Sequence, residues 1–279
     1  MRIASLLALT MLTCLATGGA AWAQSDAYDA NLPPPSLSEL QSIEPEIKAG
    51  SKEKSALPID IRRDAMREAG YSFGARGGLA TRTWQIRNEL EGRAAYLDKI
   101  YDFRQLLIPA QSGLLIEPPV ISESLDALNI EQGGLSAAVS DKIYNIGRNA
   151  RIVSTARTWR AYLEREWDAV DPPPDILRPA DKDERALWLG WVSQGWDEGI
   201  AQADEIFQED LNRLTADYRG MVRYRMLLAQ GMVSPPYALQ VDRGVTGGGN
   251  EMRVGDRALS ITGLPALKPD SSEWQPANR

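Results

Sequence analysis

The chain has 279 residues and carries 31 lysines and arginines against 38 aspartates and glutamates, a net charge of −7, with no histidine and one cysteine. The missing histidine removes histidine triads, imidazole general bases and histidine metal sites, and a lone Cys14 leaves no thiolate cluster, so neither cofactor nor metal is expected. An acidic chain without a basic block is poorly suited to nucleic acid or anionic lipid, and direct nucleic-acid binding is not expected.

The opening residues, MRIASLLALTMLTCLATGGAAWAQ, have a basic Arg2, an apolar stretch from Ile3 to about Ala16 and the small-residue site Ala21-Trp22-Ala23. That pattern is a secretory signal over residues 1–23. Cleavage after Ala23 moves the net charge from −7 to −8 and leaves no thiol. A second reading makes Cys14 the lipid-bearing first residue of a lipoprotein, but Met11-Leu12-Thr13 precedes it and Thr13 is bulky for that place. No other window offers the roughly 18 apolar residues of a spanning helix. Residues 24–56 are polar, proline-rich and poor in large apolar side chains, which predicts a flexible arm. Residues 57–279 suffice for a single domain.

From Ile59 to about Phe103, apolar or small residues recur at helical spacing, among them Met66, Phe73, Ala80, Trp84, Leu90 and Leu97, predicting one long helix or two in tandem. Gly70, Gly74, Gly77 and Gly78 each weaken such a helix by about 1 kcal/mol relative to alanine, so close approach of another element is expected there. Residues 104–157, broken by Pro109, Pro118, Pro119, Gly133 and Gly134, predict short strands in a loop-rich region. Thr158 is placed to cap a short helix, WRAYLEREW, and the prolines of DAVDPPPDILRP make a stiff connector. Asp181 and Glu184 form a capping-box-like start to the clearest element, in which Trp188, Val192, Trp196, Ile200, Ala203, Phe207, Leu211, Leu214, Tyr218 and Met221 lie three or four apart. One very long amphipathic helix, or two broken near Gly195, Gly199 or Gly220, satisfies that spacing. Past Pro236 the period becomes two, with Tyr237, Leu239 and Val241, then Met252 and Val254, then Leu259 and Ile261, and Gly255-Asp256 suits a two-residue hairpin turn.

Several stretches invite chemical readings. Gly244-Val-Thr-Gly-Gly-Gly-Asn250 lacks the Gly-Lys-Ser/Thr ending and following helix of a phosphate loop, and serves better as a turn between strands. Trp188, Trp191 and Trp196 could stack on a glycan, but an aromatic stripe at helical spacing is more commonly core. Asp183/Glu184, Asp197/Glu198 and Glu209/Asp210 are the raw material for a carboxylate-based cell-wall enzyme, yet adjacent carboxylates on a helix point about 100° apart and do not face across a cleft. Glu209 with Arg213 suits a surface ion pair. Ser234 has neither a nucleophile elbow nor a histidine partner.

The segments LLAQGMVSPPYALQVDRGVTGGGNEMRVGDRALSITGLPAL, TWRAYL, GWDEGIAQADEIFQEDLNRLTADYRGMVRYR and AYLDKIYDF closely resemble the DotC family, which includes the TraI proteins of related conjugative plasmids, from about residue 60 to Trp274. The resemblance implies a non-enzymatic subunit of a type IVB (Dot/Icm-like) secretion or conjugation system. It would sit in the periplasm at the outer membrane and assemble with DotD-like and DotH-like partners into a ring-shaped core complex. Family members of this kind are lipoproteins, and Thr13-Cys14 departs from their attachment site.

The expectation is therefore an α+β fold, predominantly helical, with long amphipathic helices and a small antiparallel sheet mainly from the C-terminal third. Ser234, Pro235, Pro236, Tyr237, Leu239, Val241, Gly247, Gly248, Asp256 and Arg257 are the expected assembly surface, with the Tyr237–Val241 edge open to extension by a partner strand. A carboxylate enzyme and a glycan-binding module are the rival functions.

Overall fold

The computed structural model describes residues 32–45, 59–110, 113–131 and 136–275; the signal and Cys14 lie outside them. Helix outweighs strand, and every strand pairing is antiparallel. The frame is a pair of long helices, α2 (Ile59–Gly92) and α5 (Lys182–Ala229), with a short α3 (Ala94–Ile100) after a break at Arg93. The 48 residues of α5 run unbroken through Gly195, Gly199 and Gly220. Its N-cap is Asp181, whose carboxylate accepts from Glu184 N (2.8 Å), while Glu184 reaches back to Ala180 N (2.8 Å), one residue beyond a regular capping box.

The glycines explain how the two helices meet. A Cβ on Gly74 would overlap the Val192 carbonyl, and one on Gly78 the Trp196 carbonyl. From the other side, a Cβ on Gly195 would overlap the Tyr71 carbonyl and one on Gly199 the Ala75 carbonyl. Glycine therefore alternates between the two partners so that backbone lies directly on backbone. These contacts climb both sequences together, and Arg82–Asp204 (2.7 Å) and Tyr101–Thr215 (3.0 Å) continue the climb, so α2 and α5 run in the same direction. Above and below the crossing the helices splay around larger side chains. Met66, Phe73, Trp188, Val192 and Trp196 fill one end, and Ile86, Leu90, Phe103, Trp159, Tyr162, Leu214 and Met221 fill the other.

Three expectations are corrected. A five-residue helix, α1 (Leu37–Gln41), lies within the span read as a flexible arm and seats Leu40 in the core, because Gly77 leaves a notch its side chain fills. Residues 104–157 hold more than short strands: β1 (Ile108–Pro109), β2 (Leu115–Glu117) and β5 (Arg151–Val153) form a small sheet in the order β1-β2-β5, and β3 (Val120–Glu131) with β4 (Ser136–Arg148) makes a long hairpin. The helix after Thr158 is a single turn, α4 (Arg160–Leu163), with Trp159 at its cap and no side-chain capping bond. Its neighbours leave helix to bury Trp159 and Trp167 on opposite sides of the turn, each under a tenth exposed.

Candidate assembly surface

The C-terminal part begins with a helix stop that glycine makes possible. Gly231 adopts φ +71°, its N–H donates to the Leu228 carbonyl (3.1 Å), and Met232 N–H donates to the Leu227 carbonyl (2.9 Å). This is a Schellman ending, completed by packing of Met232 beside buried Leu227. A Cβ on Gly231 would also lie 3.0 Å from the Glu273 carbonyl. Gly231→Ala should cost about 1–2 kcal/mol, the penalty of a left-handed L-residue, read as a lowered urea midpoint at unchanged m-value.

The chain then leaves and returns through a clamp. Ser234 N–H donates to the Ala266 carbonyl (2.9 Å) and Ala266 N–H donates to the Ser234 hydroxyl (2.9 Å), so Ser234 is a structural latch. Lys268 N–H donates to the Met232 carbonyl (2.9 Å), and Gln275 N–H to the Gln230 carbonyl (2.8 Å). Pro235 is exposed and Pro236 half-buried where the backbone turns into the strand.

Between the jaws of this clamp stands one hairpin, β6 (Tyr237–Gly248) and β7 (Glu251–Gly263), paired from Tyr237↔Gly263 to Gly248↔Glu251. The expected turn at Gly255-Asp256 is not a turn. The chain reverses at Gly249-Asn250, and Gly255 lies inside β7, where Gly244 (φ +66°) opposes Asp256 and the register shifts. The physical reason is a paired bulge: Asp242 caps the Gly244 N–H (2.9 Å), and Asp256 accepts from the Thr246 hydroxyl (2.8 Å), so both glycines relieve a kink in continuous strands. Gly247 (φ +143°) lets the strands close beneath the turn, where a Cβ would overlap the Glu251 carbonyl. Gly248 carries no such constraint, and Arg257 is exposed opposite Asp242.

The apolar side chains of this hairpin largely face solvent. Tyr237, Leu239 and Val241 are about half exposed or more along β6, and Val245, Met252 and Val254 are more than 60% exposed towards the turn. Val245 and Val254 are direct cross-strand partners. Among the described residues no third strand is paired to either edge. Leu125 and Val139 on the β3–β4 hairpin are comparably exposed, although its base is pinned by Arg223 to the Ile121 carbonyl (2.6 Å) and the Glu123 carboxylate (3.2 Å).

Beneath the hairpins lies an ionic network that the sequence did not single out. Glu117, 2% exposed, accepts from Arg151 Nε (3.1 Å) and Nη2 (3.2 Å), from Arg157 Nε (2.8 Å) and also from Arg157 Nη2. Arg157 extends to Asp217 on α5 (3.1 Å), which also accepts from the Tyr162 hydroxyl (2.6 Å) and pairs with Arg148 of β4. The network ties β2, β4, β5 and α5 together. Scattered over a hundred residues, its members leave no local spacing to find.

Burial pushes the Asp217 carboxyl up, but hydrogen bonds from Arg148 and Tyr162 and the charges of Arg148 and Arg157 outweigh it and hold the group below the ordinary carboxylate range. A depressed native pKa stabilises the fold above the unfolded value, near 4, and that contribution disappears as pH falls through the native value. Thermal midpoints should therefore drop below about pH 4, and Asp217→Asn should lower the neutral-pH midpoint while flattening the acid slope. Exposed Glu39 and Asp270 and half-buried Asp102 and Glu123, which are also depressed, supply the slope that remains.

Of the residues of the rival functions, Asp183, Asp197 and Glu198 are exposed on α5 and Glu184 reaches back to its start. Trp188 and Trp196 are core side chains, and only Trp191 is half-buried. Arg213 pairs with Asp210 (2.7 Å), which is buried and shared with Arg165, correcting the expected Glu209–Arg213 pair. Among the described residues no helix is long and apolar enough to cross a membrane.

No curated protein matches the chain. Residues 60–276, from the first turn of α2 past the return of the clamp, match the family described as type IV secretory system, conjugal DNA-protein transfer. With most of the chain inside that match, this TraI-type protein belongs to the conjugal DNA-protein transfer family of type IV secretory systems.

Proposed function

We propose that the protein is a DotC-like scaffold subunit of the outer-membrane core complex of a type IVB secretion or conjugative transfer system. It is exported to the periplasm and assembles there with DotD-like and DotH-like proteins at the outer membrane. The role is structural, not enzymatic. The observation that supports this reading most is the β6–β7 hairpin, whose Leu239, Val241, Val245, Met252 and Val254 face solvent on two strands with unpaired edges. Isolated two-strand hairpins are marginal in water, and apolar residues on one are stabilised when a neighbour covers them. Strand addition along β6 or β7 would satisfy the free backbone groups and the side chains together.

A C-terminally tagged copy purified from its own host in mild detergent should bring down DotD-like and DotH-like proteins in a large particle. Met252→Asp combined with Val254→Asp should remove those partners while lowering the melting midpoint by no more than about 4 °C, since both side chains are exposed. A monomer recovered alone from a host expressing the other components would overturn the proposal. The mass of the mature N-terminus from the same preparation distinguishes cleavage after Ala23 from acylation of Cys14.

A further inference from the structure

The contact between α1 and the long helices has the form of a peptide seated in a groove. A five-residue helix has no stability of its own, so its order derives from docking. Ser36 and Glu39 cap it reciprocally, through Ser36 N–H to the Glu39 carboxylate (2.6 Å) and Glu39 N–H to the Ser36 hydroxyl (3.4 Å). Leu40 fills the notch at Gly77 against the Trp196 ring, with Leu37 and Ile43 packed on the same cluster at three-residue spacing. Polar contacts fix the direction. Trp188 Nε1 donates to the Leu40 carbonyl (3.4 Å), Gln41 Nε2 to the Leu189 carbonyl (3.4 Å), Arg178 Nη1 to the Glu44 carbonyl (3.4 Å), and Arg185 pairs with the Glu44 carboxylate (3.2 Å).

We propose that this groove is a peptide-docking site, that residues 36–44 are its separable ligand, and that the same segment of a second copy of this chain can take the place of the chain's own. The argument for a second copy is the chain's length outside the contact. Residues 46–58 join residues 36–44, the strap, to α2 and reach at most roughly 45 Å when extended, so the strap can span to the groove of an adjoining copy. Exchange preserves every contact named above and changes only the connection, which is why swapping of identical elements costs little. A tether of this length holds its own strap at an effective concentration on the order of millimolar. Dilute chains therefore keep their straps at home, and exchange sets in where copies are held side by side.

Two experiments test this on the purified full chain. The first uses a fluorescent synthetic peptide of residues 32–45. Leu40→Glu releases the chain's own strap, so the variant should bind the peptide saturably at one site, while the wild type, already occupied, binds at least tenfold more weakly. The same peptide carrying Leu40→Glu should bind neither protein. Absence of binding to a Leu40→Glu chain that melts cooperatively, or equal binding to both chains, overturns the docking site. Should Leu40→Glu fail to fold, Gly77→Ala closes the notch from the groove side: proteolysis within 46–58 should then accelerate several-fold without a fall in the main melting midpoint, and unchanged proteolysis overturns the proposal. The second experiment addresses exchange. One Cys14→Ser population carrying Glu44→Cys and another carrying Arg185→Cys are mixed at high concentration with a short bis-maleimide, where a strap seated on another copy gives a mixed covalent dimer in excess over the collisional product formed when excess peptide fills the groove. Recovery of that dimer, suppressed by excess peptide, supports exchange, and its absence restricts docking to the chain's own strap and overturns the trans claim.

Discussion

Gly195→Ala will destabilise the protein although alanine is the better helix former, and Gly190→Ala, five residues earlier on the same helix, will stabilise it. Gly190 is exposed with open space where a Cβ would go, so the substitution gains only the propensity difference, about 0.5–1 kcal/mol. At Gly195 that gain remains but is overruled, because the new methyl overlaps the Tyr71 carbonyl and crowds the Ala75 amide, both backbone atoms of a helix that cannot yield locally. Overpacking of this kind costs about 1–3 kcal/mol, and valine at the same position should cost more than about 3 kcal/mol and abolish soluble expression. Urea titrations of the two alanine variants check the opposite signs directly. Two shifts in the same direction would mean that the helices separate readily and that the crossing does not hold the fold.

Arg157→Ala is the other large effect. The guanidinium serves Glu117 and Asp217 at once, and its removal leaves Glu117, almost wholly buried, facing Arg151 alone. Breaking a buried ionic group on one side costs about 3–5 kcal/mol. Part of that cost is the stranded carboxylate, so Glu117→Gln placed on top of Arg157→Ala should recover some of the loss. A double-mutant cycle in urea measures the coupling, and strictly additive effects would show that the two groups stabilise the fold independently. Arg157→Lys should rescue little, because a single ammonium cannot span two carboxylates with the geometry of a planar fork.

What the sequence made legible follows from what is buried. The α5 helix is one-sidedly packed over its length, so its apolar stripe and Asp181 cap could be read directly, and the glycines of α2 correctly announced a close neighbour. The long hairpins resisted the same treatment. Apolar residues of β3 and β4 such as Leu125 and Val139 face solvent, and small and polar residues are mixed among them, so no clean alternation marks the strands. In the C-terminal hairpin two glycine signals competed. Gly249-Asn250 is the turn and Gly255-Asp256 a mid-strand bulge, and both need backbone freedom, so composition could not separate them. Of the expected surface residues, Tyr237, Leu239, Val241 and Arg257 are indeed solvent-facing. Ser234 and Asp256 are spent on holding the hairpin's shape, and Val245, Met252 and Val254, which the sequence did not single out as surface, are exposed on the same hairpin. The Glu117 and Asp217 network and the docked α1 depend on contacts between distant segments, which no local pattern encodes.

The unbroken α5 has a mechanical consequence. At 1.5 Å per residue its 48 residues make a rod of roughly 70 Å. The strap holds one end, through Arg185 and Trp188, and the hairpin clamp closes just beyond the other, through Leu227 and Gln230. In the scaffold role proposed above, the protein would act as a ruler with a fastening at each end. A small tilt of the rod at the strap becomes a displacement of the hairpins many times larger, and neighbouring rods set side by side would hold their two rows of fastenings a fixed distance apart.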